Sequence, residues 1–286
     1  MGESRRRLLR RGAGAALVGA GGLSVGAGVL GSVGGDRAGD VAGDPSALVA
    51  GSLLGVAEST PGAAVEAHGS LAVRRFVVSD ARDPDVVALA DPPLFAGLTD
   101  RATLFATNAL VVAYDPASEH ADAVAADWSS ALARDEVVLG RTDPETDPLG
   151  YRTVLVLDLA ERFGVADRSA LDGSQVFPET ALLRNLEAGA VDAAFVYRSM
   201  AEERDLPYLD LPARIDFSDP AHAETYASVS LELEDRTVRG APIRYAAAPL
   251  TEAGREWHDA LVNGTDRLRR RGFTVPGEHP RRVRVD

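Results

Sequence analysis

Short, unbroken apolar runs alternate along this chain with segments whose apolar residues return every three or four positions. Val86-Val-Ala-Leu89 lies between Asp85 and Asp91 with no polar alternation. Such a run belongs to a strand covered on both faces, as in a parallel sheet. Comparable runs predict strands over 47–50, 65–67, 108–114, 137–139, 191–197, 206–209 and 242–247, with an alternating, antiparallel stretch at 226–233. Helical spacing predicts helices over 53–58, 71–78, 121–133, 151–163, 178–188, 199–204 and 251–271. Trp128 and Leu132, then Leu155 and Leu159, stand four apart on their helices. Pro178 in the first turn and Gly189 just past the end bracket the 178–188 helix. Strands and helices alternating at this length predict an α/β fold with mostly parallel sheets.

The first 45 residues break this pattern. Ser4-Arg-Arg-Arg-Leu-Leu9 precedes a glycine- and alanine-rich apolar run over about 13–33. A basic segment followed by an apolar one is an export signal, and the arginine pair followed by leucines matches the twin-arginine type. The signal is expected over 1–35, cleaved or kept as an anchor, and a polar, glycine-rich linker over 36–45.

Composition narrows the function. A chain of 286 residues with 45% hydrophobic residues can build a large core. It has no cysteine, which excludes disulfides, thiolate metal sites, a cysteine nucleophile and a lipidated cysteine. A net charge of −13 argues against nucleic acid as a partner. All 30 basic residues are arginine. Acidity without lysine points to salt adaptation, because in concentrated salt like charges hardly repel, the Debye length being roughly 3 Å at 1 M; codon bias toward arginine acts in the same direction. The basic C-terminal run (Arg267, Arg269, Arg270, Arg271, Arg281, Arg282, Arg284) reads as a solvated or salt-bridged face.

Candidate chemistry gathers at predicted strand ends, where open α/β sheets bind ligands. Ser52 and Ser70 each follow a glycine between a strand and a helix. Each is a helix cap or an anion-facing hydroxyl. Thr142-Asp-Pro-Glu-Thr-Asp-Pro-Leu-Gly-Tyr-Arg152 is a rigid strand-to-helix loop with two Asp-Pro steps, so Asp143 and Asp147 are turn and cap residues or ligands. Glu179 falls in the first turn of a helix, where it complements the dipole or faces a ligand. Tyr197 ends a buried strand.

Taken together these pieces resemble the tungstate/molybdate-binding proteins of archaeal ABC importers, a class of extracytoplasmic solute-binding proteins. The match runs from about residue 49 to 272 through Ala50-Gly-Ser-Leu53, Glu66-Ala-His-Gly-Ser70, Asp85 to Asp91, Phe105-Ala-Thr-Asn108, the Asp143 to Arg152 loop, Leu186 to Asp192, Tyr197-Arg-Ser199 and Pro242-Ile-Arg-Tyr245, in that order. The resemblance implies a two-lobed, periplasmic-binding-protein-like (type II) α/β fold closing over one oxyanion, with no cofactor. It implies Asp143 and Glu179 as direct ligands of Mo or W, with Asp147 the substitute for Asp143. Ser52, Ser70 and Tyr197 would donate to the oxo groups, helped by the backbone N–H groups near Glu145 and Thr146. Two departures stand out: the loop's usual cysteine is Leu149, and the segment between Ser52 and Ser70 is short.

On this reading residues 46–107 and 243–286 form one lobe and 108–242 the other. The protein is an exported monomer that hands its ligand to a membrane permease driven by a separate ATPase, since the chain has no Walker motif. Three other functions stay open: a receptor for sulfate or phosphate, an exported hydrolase using Asp143 and Glu179 as acid and base, and a divalent-cation binder. The chain lacks Gly-x-Ser-x-Gly and His-Glu-x-x-His motifs, and its five histidines are scattered.

Overall fold

The computed structural model describes residues 44–285. The expected export signal and nearly all of the expected linker lie outside the described residues. In chain order the strands are β1 (Ser46–Ala50), β2 (Ala64–His68), β3 (Val86–Leu89), β4 (Arg101–Thr107) and β5 (Leu110–Tyr114). They continue with β6 (Leu139–Arg141), β7 (Gln175–Val176), β8 (Ala193–Tyr197) and β9 (Tyr208–Asp210). The last are β10 (Ser230–Glu232), β11 (Thr237–Arg239), β12 (Arg244–Pro249) and β13 (Arg281–Arg284).

Two open sheets and a small ribbon result. One sheet has the order β13-β4-β12-β3-β1-β2, the other β7-β6-β8-β5-β9, and β10 pairs with β11. In the first, β2, β1 and β3 are parallel, and β12 lies antiparallel between β3 and β4. In the second, β7, β6 and β8 are parallel, and β5 lies antiparallel between β8 and β9. The reversed strand in each sheet is the first one reached after the chain crosses from the other sheet. All residues of β3 and β8 are buried, as their unbroken apolar runs require. This is the mixed, mostly parallel α/β architecture expected. Among the described residues no helix is long and apolar enough to cross a membrane.

Several elements differ from the sequence pattern, each for a local reason. The apolar stretch through 101–114 is two strands in two sheets, not one beginning at 108. Asn108 marks the crossing: its Oδ1 accepts from Ala109 N (3.0 Å) and its Nδ2 donates to Ser199 Oγ (2.8 Å). The helix expected over 121–133 breaks at Asp127, whose carboxylate caps the second piece through Ser129 N and Ser130 N. The helix expected over 251–271 divides into Arg255–Val262 and Thr265–Arg270 around Gly264. The strand expected over 226–233 is instead the end of helix Ala223–Tyr226 followed by β10. Tyr226 is fully buried there and donates to the Ala213 carbonyl. The edge strand β13 has little apolar signal in Arg-Arg-Val-Arg, because it is held by its backbone pairing with β4 and only Val283 packs against the core.

The sheets face each other through the carboxyl ends of their parallel strands. After β2, Gly69 turns the chain into helix Ser70–Val78 and lies against the loop after β6. Ala72 N donates to the Thr146 carbonyl across this contact (3.1 Å). A Cβ on Gly69 would stand 2.6 Å from both Asp147 Cβ and Thr146 O, so only glycine permits the approach. Gly69→Ala should therefore hold the lobes apart while leaving each folded. Small-angle scattering should show a larger radius of gyration with a melting temperature within about 3 °C of wild type, a shift worth about 1 kcal/mol in a chain of this size. An unchanged radius would remove Gly69 as the point of closure.

Candidate functional site

The site begins with backbone N–H groups. β1 ends in a turn of 3-10 helix, Gly51–Leu53, and the five-residue helix Leu54–Glu58. This short segment still aims its first amides across the cleft. Gly51 N donates to Glu179 Oε2 (2.9 Å) and Ser52 N to Oε1 (3.2 Å). Neither serine's side chain caps a helix. Ser52 Oγ accepts from the Tyr245 hydroxyl (3.2 Å), and Ser70 Oγ accepts from Ala90 N (3.0 Å).

The opposite wall is acidic. Asp147 caps the helix Pro148–Arg162: its Oδ1 accepts from Gly150 N and from the Thr142 hydroxyl, both at 3.0 Å. Glu179 opens the helix Glu179–Glu187. Asp147 is 1% exposed and Glu179 4%. A cavity of about 340 Å3 passes between them, lined also by His68, Gly69, Asp143 and Phe177. Burial pushes the Glu179 carboxyl up, to about 8, and the neighbouring Asp147 charge adds to the rise against hydrogen bonds from Ser52 and Gly51. Burial likewise raises Asp147, to about 7, against the bonds from Gly150 and Thr142.

The remaining expected residues fall around this pair. Asp143 lines the same cavity, is partly exposed, and holds its own turn by accepting from Glu145 N (2.9 Å). Thr146 N donates to the Asp143 carbonyl (3.1 Å), so both loop amides expected at the ligand are engaged within the turn. The Glu145 carboxylate is engaged elsewhere, accepting from Glu234 N (3.1 Å) with Arg75 Nη2 at 4.0 Å. Tyr197 is fully buried at the end of β8, and burial raises its hydroxyl pKa. The Glu179 charge adds to that rise.

Sequence reasoning gave no role to Arg152, Tyr245, Asn108, Tyr151 or Asp91. Arg152 is 2% exposed and donates from Nη1 to both the Tyr197 hydroxyl oxygen (2.7 Å) and the Ala90 carbonyl (2.8 Å). Its Nη2 lies 3.8 Å from Asp91 Oδ1, and Tyr151 donates to Asp91. The guanidinium also faces the Tyr151 and Tyr197 rings at 5.5 and 5.9 Å. The one signal in sequence was position: Tyr151-Arg152 enters the first turns of the helix that Asp147 caps. Tyr245 comes from β12, far along the chain, and only the antiparallel insertion of that strand brings it to Ser52.

Donors on one lobe, acids on the other and a cleft at the strand ends define a ligand-binding protein of the two-lobed class. The family model described as bacterial extracellular solute-binding protein matches residues 59–274, and the chain belongs to that family. A Haloferax volcanii protein named, provisionally, an ABC transporter molybdenum-binding protein is 51% identical over 92% of this chain and 90% of its own length. A molybdate/tungstate-binding protein of Thermococcus kodakarensis is 32% identical over 66% of this chain and 63% of its own. The solved periplasmic molybdate-binding protein of Azotobacter vinelandii shares the fold, with a TM-score of 0.58 at 15% identity, covering 82% of this chain and 100% of that one.

The buried acids make stability depend on pH. A carboxyl raised in the folded state stabilises fully below its unfolded value of 4.5 and loses that contribution as pH climbs through about 8. Glu179→Gln should flatten this fall. Its melting temperature should exceed wild type by at least about 2 °C at pH 8.5, with a smaller gain at pH 5. An equal offset at both pH values would mean that Glu179 titrates normally.

Proposed function

We propose that this protein binds molybdate or tungstate with high affinity outside the cytoplasm and delivers it to an ABC importer. The observation that carries the reading is the Gly51–Ser52 turn. Its amides converge on the two carboxyl oxygens of Glu179, with a second buried acid, Asp147, beside it. Donors that hold a carboxylate suit the oxo groups of an oxyanion. A carboxylate facing a dianion in a dry cleft repels it strongly unless it bonds to the central atom. Mo(VI) and W(VI) accept extra oxygen ligands; sulfur in sulfate does not. The same acids thus attract the metal oxyanions and exclude sulfate.

Asp147, rather than Asp143, is the partner of Glu179 in this proposal. Asp147 is the carboxylate whose charge reaches Glu179, whereas Asp143 is partly exposed and tied into its own turn. Ser52, Ser70 and Tyr197 donate to the oxo groups. The names of the Haloferax and Thermococcus relatives support the ligand class, and the family supports export and partnership with a membrane permease. The salt-adapted composition fits the Haloferax relative. The protein binds and releases its ligand without turnover, acts as a monomer, and its lobes turn about the crossings near Asn108 and before β12.

Calorimetry of the full chain in high salt should give one-to-one, sub-micromolar binding of tungstate and molybdate with sulfate silent. Sulfate or phosphate binding in their place would discard the metal chemistry. Glu179→Gln should reduce tungstate affinity at least 100-fold in a folded protein. Tyr197→Phe should cost about 1–3 kcal/mol of binding through one lost donor; no loss would mean that its hydroxyl does not reach the ligand.

A further inference from the structure

Asparagine occurs three times in this chain, and one of the three begins Asn263-Gly-Thr265. In a secreted protein an asparagine followed, after any residue but proline, by serine or threonine is the acceptor of an N-linked glycan. Asn108-Ala-Leu and Asn185-Leu-Glu do not fit. So short a motif also recurs by chance, and the structure around it decides. The segment joins helix Arg255–Val262 to helix Thr265–Arg270, and Asn263 is exposed. Gly264, at φ −73° and ψ 46°, is the centre of an inverse γ-turn closed by Thr265 N on Asn263 O (2.8 Å). Asn263 Nδ2 gives one hydrogen to the Asp259 carbonyl (2.8 Å). Its other hydrogen has no acceptor among the described residues, so a sugar can replace it and leave that bond in place. The ordinary use of such residues is to cap the second helix, yet that helix starts from Gly264 with no side-chain cap. The Thr265 hydroxyl makes no hydrogen bond among the described residues.

The second observation is what lies beside the turn. Asn263 and Thr265 line a trough of about 570 Å3 together with Arg267, Arg270 and Arg271. Arg267 folds back under the turn, donating to the Ser59 and Ala260 carbonyls (both 3.0 Å), while its buried Nε has no partner among the described residues. A Cβ on Gly264 would stand 2.7 Å from Arg267 Nη2, so the glycine admits the guanidinium. Arg271 pairs with Glu203 (2.8 Å). Arg270 is exposed and forms no ion pair among the described residues, and Asp266, the one acid in the trough, pairs with none of the three. In a chain with 43 acidic residues against 30 arginines, two arginines free of carboxylates beside one acceptor asparagine form a seat for acidic groups.

We propose that Asn263 carries an N-linked glycan, attached to the folded chain after export, and that the arginine-lined trough seats acidic sugars of that glycan. The proposal rests on the export reading given above and not on the identity of the ligand. The twin-arginine route expected for this chain carries folded proteins, so an acceptor has to be open on the folded surface, as Asn263 is. In the transfer Nδ2 attacks the anomeric carbon of a glycosyl phosphate supplied, with its transferase, outside the cytoplasm. The C–N bond forms, and the bond from that carbon to the phosphate oxygen breaks. The phosphate leaves with the electron pair, one amide proton passes to a base of the transferase, and nothing is oxidised or reduced. No residue of the trough lines the cavity between Asp147 and Glu179, so the glycan leaves the cleft free.

The test recovers the full chain from outside the membrane of the cells that make it, cleaves it with trypsin and reads peptide 256–267 by mass spectrometry. Most of the peptide should carry a sugar chain on Asn263, and that chain should contain carboxylate or sulfate groups. Asn263→Gln and Thr265→Val should each abolish the modification, and Thr265→Ser should keep it. The threonine variants leave the Asn263–Asp259 bond intact, so the result does not depend on how Asn263→Gln folds. An unmodified or merely deamidated peptide from exported protein would overturn the proposal alone. Recovery of the protein from the cytoplasm only would overturn it together with the export reading, whichever anion the protein binds. The trough is read by a pair of variants. Thr265→Val should lower the melting temperature by about 1–2 °C more with Arg270 present than on an Arg270→Gln background. Equal losses, or a glycan of neutral sugars only, would overturn the trough as its seat.

Discussion

Two carboxylates, Glu179 and Asp147, stand within each other's field in a cleft from which water is largely excluded. Like charges in such a place cost several kcal/mol unless something relieves them. The surrounding structure supplies relief in pieces. The helix that Asp147 caps gives it Gly150 N and the positive end of a dipole. The Gly51–Ser52 turn gives Glu179 two amides from the other lobe. What is left over appears as the raised affinity of both acids for protons. In the proposed function a metal centre of high charge would complete the neutralisation, and a sulfur or phosphorus centre of fixed coordination would not. The repulsion is thereby the basis of the proposed selectivity as well as a cost to the ligand-free fold.

That arrangement depends on chain topology. The donors follow β1, β2 and β3; the acids and Tyr197 follow β6, β7 and β8. Parallel strands put all of these turns at one edge of each sheet, and the two edges face one another. The antiparallel insertions β5 and β12 do more than connect. Asn108 sits at the crossing into β5, and Tyr245 stands on β12, so the crossings supply the hydrogen bonds that reach Ser52. The same elements that join the lobes thus meet at the site.

The acidic exterior and the acidic site answer different conditions. Exposed carboxylates are screened in concentrated salt over a few ångströms. Glu179 and Asp147 are buried, and salt does not reach them. A protein can therefore carry −13 overall and still bind a dianion, provided the local donors and the guanidinium of Arg152 set the field where the ligand sits.

The α/β class, the parallel cores of both sheets and the strand-end loops were legible in the sequence, because unbroken runs such as Val86 to Leu89 and Ala193 to Tyr197 are buried on both faces whatever else surrounds them. The Asp-Pro loop and Glu179 at a helix start were legible for the same local reason: proline, caps and first-turn acids act within a few residues. The edge strand β13 and the division of 101–114 between two sheets were not, since backbone pairing leaves no mark on side-chain pattern. Nor were the burial of Asp147 beside a partly exposed Asp143 and the hydrogen bonds of Arg152 and Tyr245. Both acids occupy equivalent Asp-Pro steps, and the docking of Gly69 against the loop covers Asp147 while Asp143 stays partly exposed. Burial and the direction of a hydrogen bond are properties of the space between elements, and for Ser52 and Tyr245 that space is closed by residues 193 positions apart.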